Sequence, residues 1–311
     1  MDYLTNDKKM TESVKTNSLK AWVLAARPKT LTGAAVPVMI GGALAVSDSN
    51  FAPDWLPMIL CFLFAFIMQI DANLVNDYFD FKKGSDDRET RLGPKRACAE
   101  GWVTPGAMRI AMAVTTGLAC IVGLPLIFYG GLEMILVGGL CVVFCFLYTL
   151  SLSYLGMGDV LVLVFFGIIP VMLTYYLSLP LGSQHFTWES FVASICCGLV
   201  IDTLLVVNNF RDIDNDRDAG KKTLIVKIGA EKALLLYKTL GSAACILGFA
   251  FFLFGHKMAF FLPCIYLCMH QSTYQEMLRI RKGRELNKVL GLTARNIFVY
   301  GLCVAIGILI S

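Results

Sequence analysis

Apolar and polar positions along this chain come in blocks rather than in alternation. Apolar runs of roughly 20 residues, the length of helix that crosses a ~30 Å hydrocarbon core, are separated by short polar connections. Nine such runs can be drawn, at 31–47, 56–76, 107–129, 132–151, 158–180, 190–209, 233–254, 258–275 and 291–310. The pattern predicts an all-α fold, a polytopic transmembrane helical bundle of nine spans. Residues 1–20 read as a flexible cytoplasmic tail and 21–311 as a single membrane domain, because no long hydrophilic linker divides them. The first run, TGAAVPVMIGGALAV, is rich in small residues and suits close helix packing.

Composition sharpens this picture. The chain is 57% hydrophobic and only 16% charged, with mean hydropathy +0.66, too little polar surface for a soluble protein of 311 residues. The first twenty residues are polar and lack the apolar core of a cleavable signal peptide. Most of the eleven cysteines lie inside apolar runs with no CxxC, so they read as small apolar filler. His185, His256 and His270 are scattered and form no metal-ligand pattern.

Positive charge sets the expected orientation. Lys and Arg gather in the N-terminal tail, in 82–109, in 211–238 and in 279–295, whereas the opposite connections contain one basic residue, Lys257. This asymmetry places the N-terminus in the cytoplasm and Ser311 outside.

Two polar stretches break the expected ending of a span. NDYFDFKKGSDDR, 76–88, and NNFRDIDNDRDAGKK, 208–222, both follow long apolar runs and crowd acids with bases. On a helix, Asn73, Asn76, Asp77 and Asp80 share one face, with Gln69 a turn earlier. Asn209, Asp212 and Asp216 repeat that spacing, with Asp202 two turns before. Asn76 and Asn208 are 132 residues apart, which suggests two loosely similar halves. Carboxylates at the mouth of a membrane helix are costly unless neutralised. Hard oxygen ligands of this kind suit Mg²⁺, which keeps waters and shares its sites with substrate phosphate. Lys82, Lys83, Asp87 and Glu89 read equally well as a solvated rim.

These residues resemble the UbiA superfamily of intramembrane prenyltransferases. Asn76-Asp77-Tyr78-Phe79-Asp80 fits the first five positions of its NDxxDxxxD signature, and Asp212 and Asp216 fit its DxxxD. The last Asp of the first signature falls on Gly84, with Asp86 two residues later as a substitute from the loop. Within the superfamily the likeness is to the branch that prenylates 1,4-dihydroxy-2-naphthoate in menaquinone synthesis. NDYFDFKKGSDDRETRLGPKR is similar to that branch's NDYxDxxxGxD and R-x-G-P-x-R, NNFRDIDNDRDAGKKTLIVKIG to its NNxRDxxxDxxxGKxTLxVxxG, and ARPKTL to the ARPxTL before its first span.

The resemblance implies transfer of a polyprenyl group from its diphosphate to the naphthoate with loss of CO₂, in the bacterial inner membrane. It implies Mg²⁺, two ions, held by Asn73, Asn76, Asp77, Asp80, Asp86, Asp212 and Asp216, with Asp77, Asp80, Asp212 and Asp216 central to catalysis. Arg91, Arg96, Arg211, Lys221 and Lys222 are the candidates for diphosphate. Asp159, in YLGMGD, is either an orienting group or base toward the acceptor, or a helix cap. Arg27 and Lys29 either pair with the acceptor carboxylate or anchor the membrane interface. Phe144, Phe146, Tyr148, Phe165 and Phe166 either line a groove for the prenyl tail or pack ordinarily. The expected partners are the two substrates and the lipid bilayer, with no nucleic acid. Rival readings are another aromatic acceptor, such as 4-hydroxybenzoate, homogentisate or haem, and, from a different class, a divalent-cation transporter. A CDP-alcohol phosphotransferase ranks lower, because its DGxxAR motif is absent.

Overall fold

A computed structural model describes residues 14–84 and 91–311, and every regular element among them is helical. A short helix α1 (Leu19–Ala26) turns at Arg27, whose φ is 51°, into α2 (Leu31–Asp48). Then follow α3 (Trp55–Lys82), α4 (Pro105–Gly123) and α5 (Glu133–Leu147). α6 (Gly158–Val162) and α7 (Ile169–Ser178) are joined by a π-helical stretch at Leu163–Ile168, and a second such stretch, Tyr148–Leu152, extends α5. The second half comprises α8 (Trp188–Arg211), short helices α9 (Ile213–Asp218) and α10 (Leu224–Ile228), then α11 (Ala230–Leu247), α12 (Cys264–Ile280) and α13 (Leu286–Leu309).

The starts of these helices follow from the sequence. Asp54 caps α3 by accepting from the Leu56 amide, and Thr104 caps α4 ahead of Pro105. Thr187 and Ser190 close a reciprocal capping box on α8. Eight helical segments among the described residues are long and apolar enough to cross a membrane. The segment expected as the eighth of nine spans, 258–275, forms two pieces instead, Lys257–Phe261 and Cys264–Ile280. Pro263 separates them, and the polar residues of CIYLCMHQSTYQEMLRI lower the second piece's hydropathy.

α2, α7, α8 and α13 form the central core, built around Val36, Ile40, Val171, Tyr175, Val200 and Val304. Small residues let these backbones approach. A Cβ on Gly41 would lie 2.4 Å from the Val171 carbonyl oxygen, and one on Gly167 only 2.8 Å from the Cα of Gly198. In the second half, His270 stacks between Tyr237 and Tyr266, fully buried, and packs over Gly241. α3 joins α4 through Asp71, completely buried, whose carboxylate accepts from the hydroxyls of Thr115 and Thr116. An ionisable group this deep needs such partners. α5 differs from all of these: none of its residues is buried. One side of it faces lipid and the other faces a cavity.

Candidate active site

That cavity measures about 980 Å³ and runs through the first half of the bundle to the C-terminal ends of α3 and α8. Its floor and walls are greasy, with Phe64, Phe144, Phe165, Phe166, Leu173 and Leu177 among the lining residues. Its other end is polar, lined by Asn76 and Asp80 from α3 and by Asn208, Asn209, Asp212 and Asp216 around the end of α8. The two acidic stretches, far apart in sequence, therefore meet on one space. Of the expected aromatic lining, Phe146 alone lies elsewhere; it packs on Phe79 at 6.5 Å in the core between α1, α3 and α4.

The helical face read from the first stretch divides in two. Its four polar residues span an arc of roughly 100°, at 100° of rotation per residue. Asn76 and Asp80 hold the cavity edge of the arc. Asn73 and Asp77 hold the other edge and do not line the cavity. The Asn73 amide donates to the Ala26 carbonyl at 2.9 Å and to Thr30 Oγ1 at 2.8 Å, which fixes the turn between α1 and α2. The carboxylate of Asp77 is 1% exposed and accepts from the backbone amides of Ala97 and Cys98 at 2.7 and 2.8 Å. Both residues thus fasten segments around the site. Asn76 Oδ1 accepts from Thr149 Oγ1, and Asp80 pairs with Arg96 at 3.4 Å. Asp86 lies outside the described residues.

The bases divide as well. Arg91, Arg96 and Lys221 line the polar end. Lys221 lies 3.4 Å from Asp216 and 5.0 Å from the centre of the Tyr154 ring, and Lys83 lies 4.2 Å from the same ring centre. Arg211 is buried behind Asp212 and grips both its oxygens, outside the cavity lining. Lys222 is exposed and meets the site only through its backbone amide, which donates to the Tyr154 carbonyl. Arg27 lines the cavity and Lys29, two residues on, is exposed. Asp159 borders a side pocket of about 20 Å³ with Tyr148, Ser153, Asn209 and Thr223, and one of its oxygens is buried without a hydrogen bond. It does not cap α6, whose N-cap is Met157. Asp202 is also buried, with one oxygen lacking a partner.

Charge in this end is tightly balanced. Burial pushes the Asp216 carboxyl above its ordinary value, Lys221 opposes that, and Asp212 adds to it. Burial lowers the Lys221 ammonium, but Asp216, Asp80 and Tyr154 outweigh it and hold the group above its usual range. Among the described residues no three His, Cys, Asp or Glu side chains converge tightly enough to hold an ion by themselves. The donors are hard oxygens from Asn76, Asp80, Asp212 and Asp216 at one end of the cavity, so they fit a cation such as Mg²⁺ in company with water or phosphate oxygens.

Residues that sequence reasoning gave no role are Asn287, Thr149 and Tyr154. Asn287 lies at the start of α13 and reaches Arg211 and the Leu92 carbonyl. One more polar residue in the charged stretch that opens a span carries no signal of this. Tyr154 sits in the quoted YLGMGD, where only its position between two lysine-bearing segments distinguishes it.

Acids and bases at the mouth of a greasy cavity within a helical bundle define an intramembrane transferase. The chain belongs to the UbiA prenyltransferase family, which it matches over residues 34–309. It is 32% identical over 317 residues to the 1,4-dihydroxy-2-naphthoate octaprenyltransferase of Escherichia coli strain K12, covering 97% of this chain and 99% of that one. It is 36% identical over 248 residues to the Haemophilus influenzae enzyme of the same name, covering 75% and 77%. Among solved structures it shares the fold of a UbiA homologue from Archaeoglobus fulgidus bound to GPP and Mg²⁺. The TM-score is 0.62 at 14% identity, covering 92% of this chain and 99% of that one. The family match sets aside the cation transporter and the CDP-alcohol phosphotransferase.

Proposed function

We propose that this transferase moves a polyprenyl group from its diphosphate to C2 of 1,4-dihydroxy-2-naphthoate, displacing the ring carboxylate as CO₂. The observation that carries the prenyl-transfer part is the cavity itself: two acidic helix ends and three bases at one end, hydrocarbon walls at the other. The names of the relatives support the naphthoate acceptor. In the donor, the allylic C–O bond breaks and its electron pair stays on the diphosphate. Arg91, Arg96 and Lys221 take up the charge that develops there. Asn76, Asp80, Asp212 and Asp216 would hold Mg²⁺, two ions by our reading, which supplies Lewis-acid stabilisation of the leaving diphosphate. The tail lies along Phe144, Phe165 and Phe166, each buried CH₂ contributing ~0.8 kcal/mol. Those walls also keep water from the allylic cation.

The ring carbon bearing the carboxylate bonds to C1 of the prenyl group. CO₂ then leaves without its bonding pair, which restores the aromatic ring. The product is the prenylated naphthalenediol, the reduced form of demethylmenaquinone. Arg27, at the wall near Thr30 and Gln69, faces the acceptor carboxylate, and Asp159 orients a ring hydroxyl from the side pocket. In this reading the polar end opens to the cytoplasm, with the N-terminus on that side and Ser311 on the other, which the distribution of basic residues supports.

The test is purified protein with one prenyl diphosphate, Mg²⁺ and a panel of acceptors, following diphosphate release and CO₂ from carboxyl-labelled naphthoate. Prenylation of dihydroxynaphthoate with one CO₂ per diphosphate is expected. Prenylation of 4-hydroxybenzoate or homogentisate in its place refutes the acceptor.

A further inference from the structure

We propose that Asn287 is a positioning residue that ties the segment around Leu92 to the end of α8 and fixes how Asp212 faces the cavity. The inference rests on the reading of Asp212 as a ligand for the cation and diphosphate. Arg211 is 4% exposed and spends four of its five N–H donors on fixed partners: Nε and Nη2 on the two oxygens of Asp212, Nη2 also on Asn208, and Nη1 on Asn287. The Asn287 contact comes from a helix 76 positions away. The same carboxamide donates from Nδ2 to the Leu92 carbonyl at 2.8 Å while its Oδ1 accepts from Arg211 at 2.9 Å. One side chain thus bridges the segment that follows α3 to the end of α8. The approach is close, because a Cβ on Gly93 would lie 2.7 Å from Arg211 Nη2. Arg284, one turn before Asn287, adds a contact from Nη2 to the Arg91 carbonyl at 3.3 Å.

A guanidinium gripping both carboxylate oxygens orients the group only if the guanidinium is itself held. Asn208 holds Nη2 from the same helix, whereas Asn287 holds Nη1 from across the site. Without Asn287 the fork can rotate with Asp212 attached, and the Leu92–Gly93 backbone loses the donor that seats it. The end of α8 is then no longer tied to the Leu92 segment through this side chain.

The test is binding of Mg²⁺ with geranylgeranyl thiolodiphosphate, a donor analogue that resists ionisation, measured by calorimetry on the full chain in detergent. Asn287→Ala is expected to weaken binding about 10–100-fold, the usual effect of losing a group behind a ligand. Asn287→Asp keeps the acceptor for Arg211 but sets an oxygen against the Leu92 carbonyl, so it is expected to fall between. In turnover, the KM for prenyl diphosphate rises while kcat at saturating donor and metal stays within about threefold, a split that general loosening of the fold would not give. Melting temperature reports folding, and where Asn287→Ala does not fold, Asn287→Asp carries the test. Wild-type affinity in either folded variant overturns the proposal. Asp212→Ala is the control: if it too binds the analogue normally, the reading of the site fails rather than the inference about Asn287.

Discussion

Replacing Asp77 and replacing Asp80 should have opposite signatures, although the two acids are three residues apart in one motif. Asp77 is 1% exposed and accepts two backbone hydrogen bonds, from Ala97 and Cys98. Asp77→Ala removes both and leaves two buried amides without a partner. Hydrogen bonds to a charged group are worth roughly 1.5–3 kcal/mol each, so the variant should lose about 3–6 kcal/mol of stability. The loss falls on the core that joins α1, α3, α4 and the 97–103 loop. Asp77→Asn should recover about half of it, because its one carbonyl oxygen can serve one amide while its NH₂ opposes the other. Asp80 instead lines the cavity and pairs with Arg96 at 3.4 Å. Asp80→Ala removes one ion pair and no backbone hydrogen bond, so it should cost less stability than Asp77→Ala and still abolish turnover. The assay is denaturant or thermal unfolding in one detergent, followed beside diphosphate release at saturating Mg²⁺. If Asp77→Ala is as stable as wild type and loses activity by the same factor as Asp80→Ala, the split of the motif is wrong.

Three further outcomes follow from named contacts. Gly138 and Gly139 line the groove with open space where a Cβ would go, so Gly138→Leu should shorten the longest prenyl donor accepted, read by KM across donors of increasing length, without lowering the melting temperature. Tyr154→Leu should raise the KM for prenyl diphosphate about 2–5-fold and Tyr154→Phe should not, since a cation over an aromatic ring contributes ~0.5–1 kcal/mol and Lys221 sits 5.0 Å from that ring. Gly41→Val should cost about 1–3 kcal/mol by overpacking against the Val171 carbonyl, measured as a lower denaturation midpoint.

The spans and the meeting of the two acidic ends were legible because each depends on a local pattern. A run of twenty apolar residues can only lie in lipid, and acids at its end need company. What was not legible depends on which of two neighbouring directions a helix face points. Asn73, Asn76, Asp77 and Asp80 occupy one arc by spacing alone, and only the position of the Ala97–Cys98 backbone decides that the arc is shared between a cavity and a loop. Arg211 illustrates the same limit. A base beside an acid at a cavity mouth reads as a phosphate ligand, but the end of α8 turns it inward to grip its own neighbour, Asp212. The eighth expected span was misjudged in continuity for a different reason: hydropathy averaged over the window hides a single proline at 263.

The wall formed by α5 has a practical consequence. None of its residues is fully buried, and Leu136, Leu140 and Val143 on its outer face are exposed, so the surrounding hydrocarbon shares in holding it in place. Short-chain detergents replace that hydrocarbon poorly. Preparations in such micelles should lose turnover well before the central four-helix core melts, and adding back bilayer lipid should restore it.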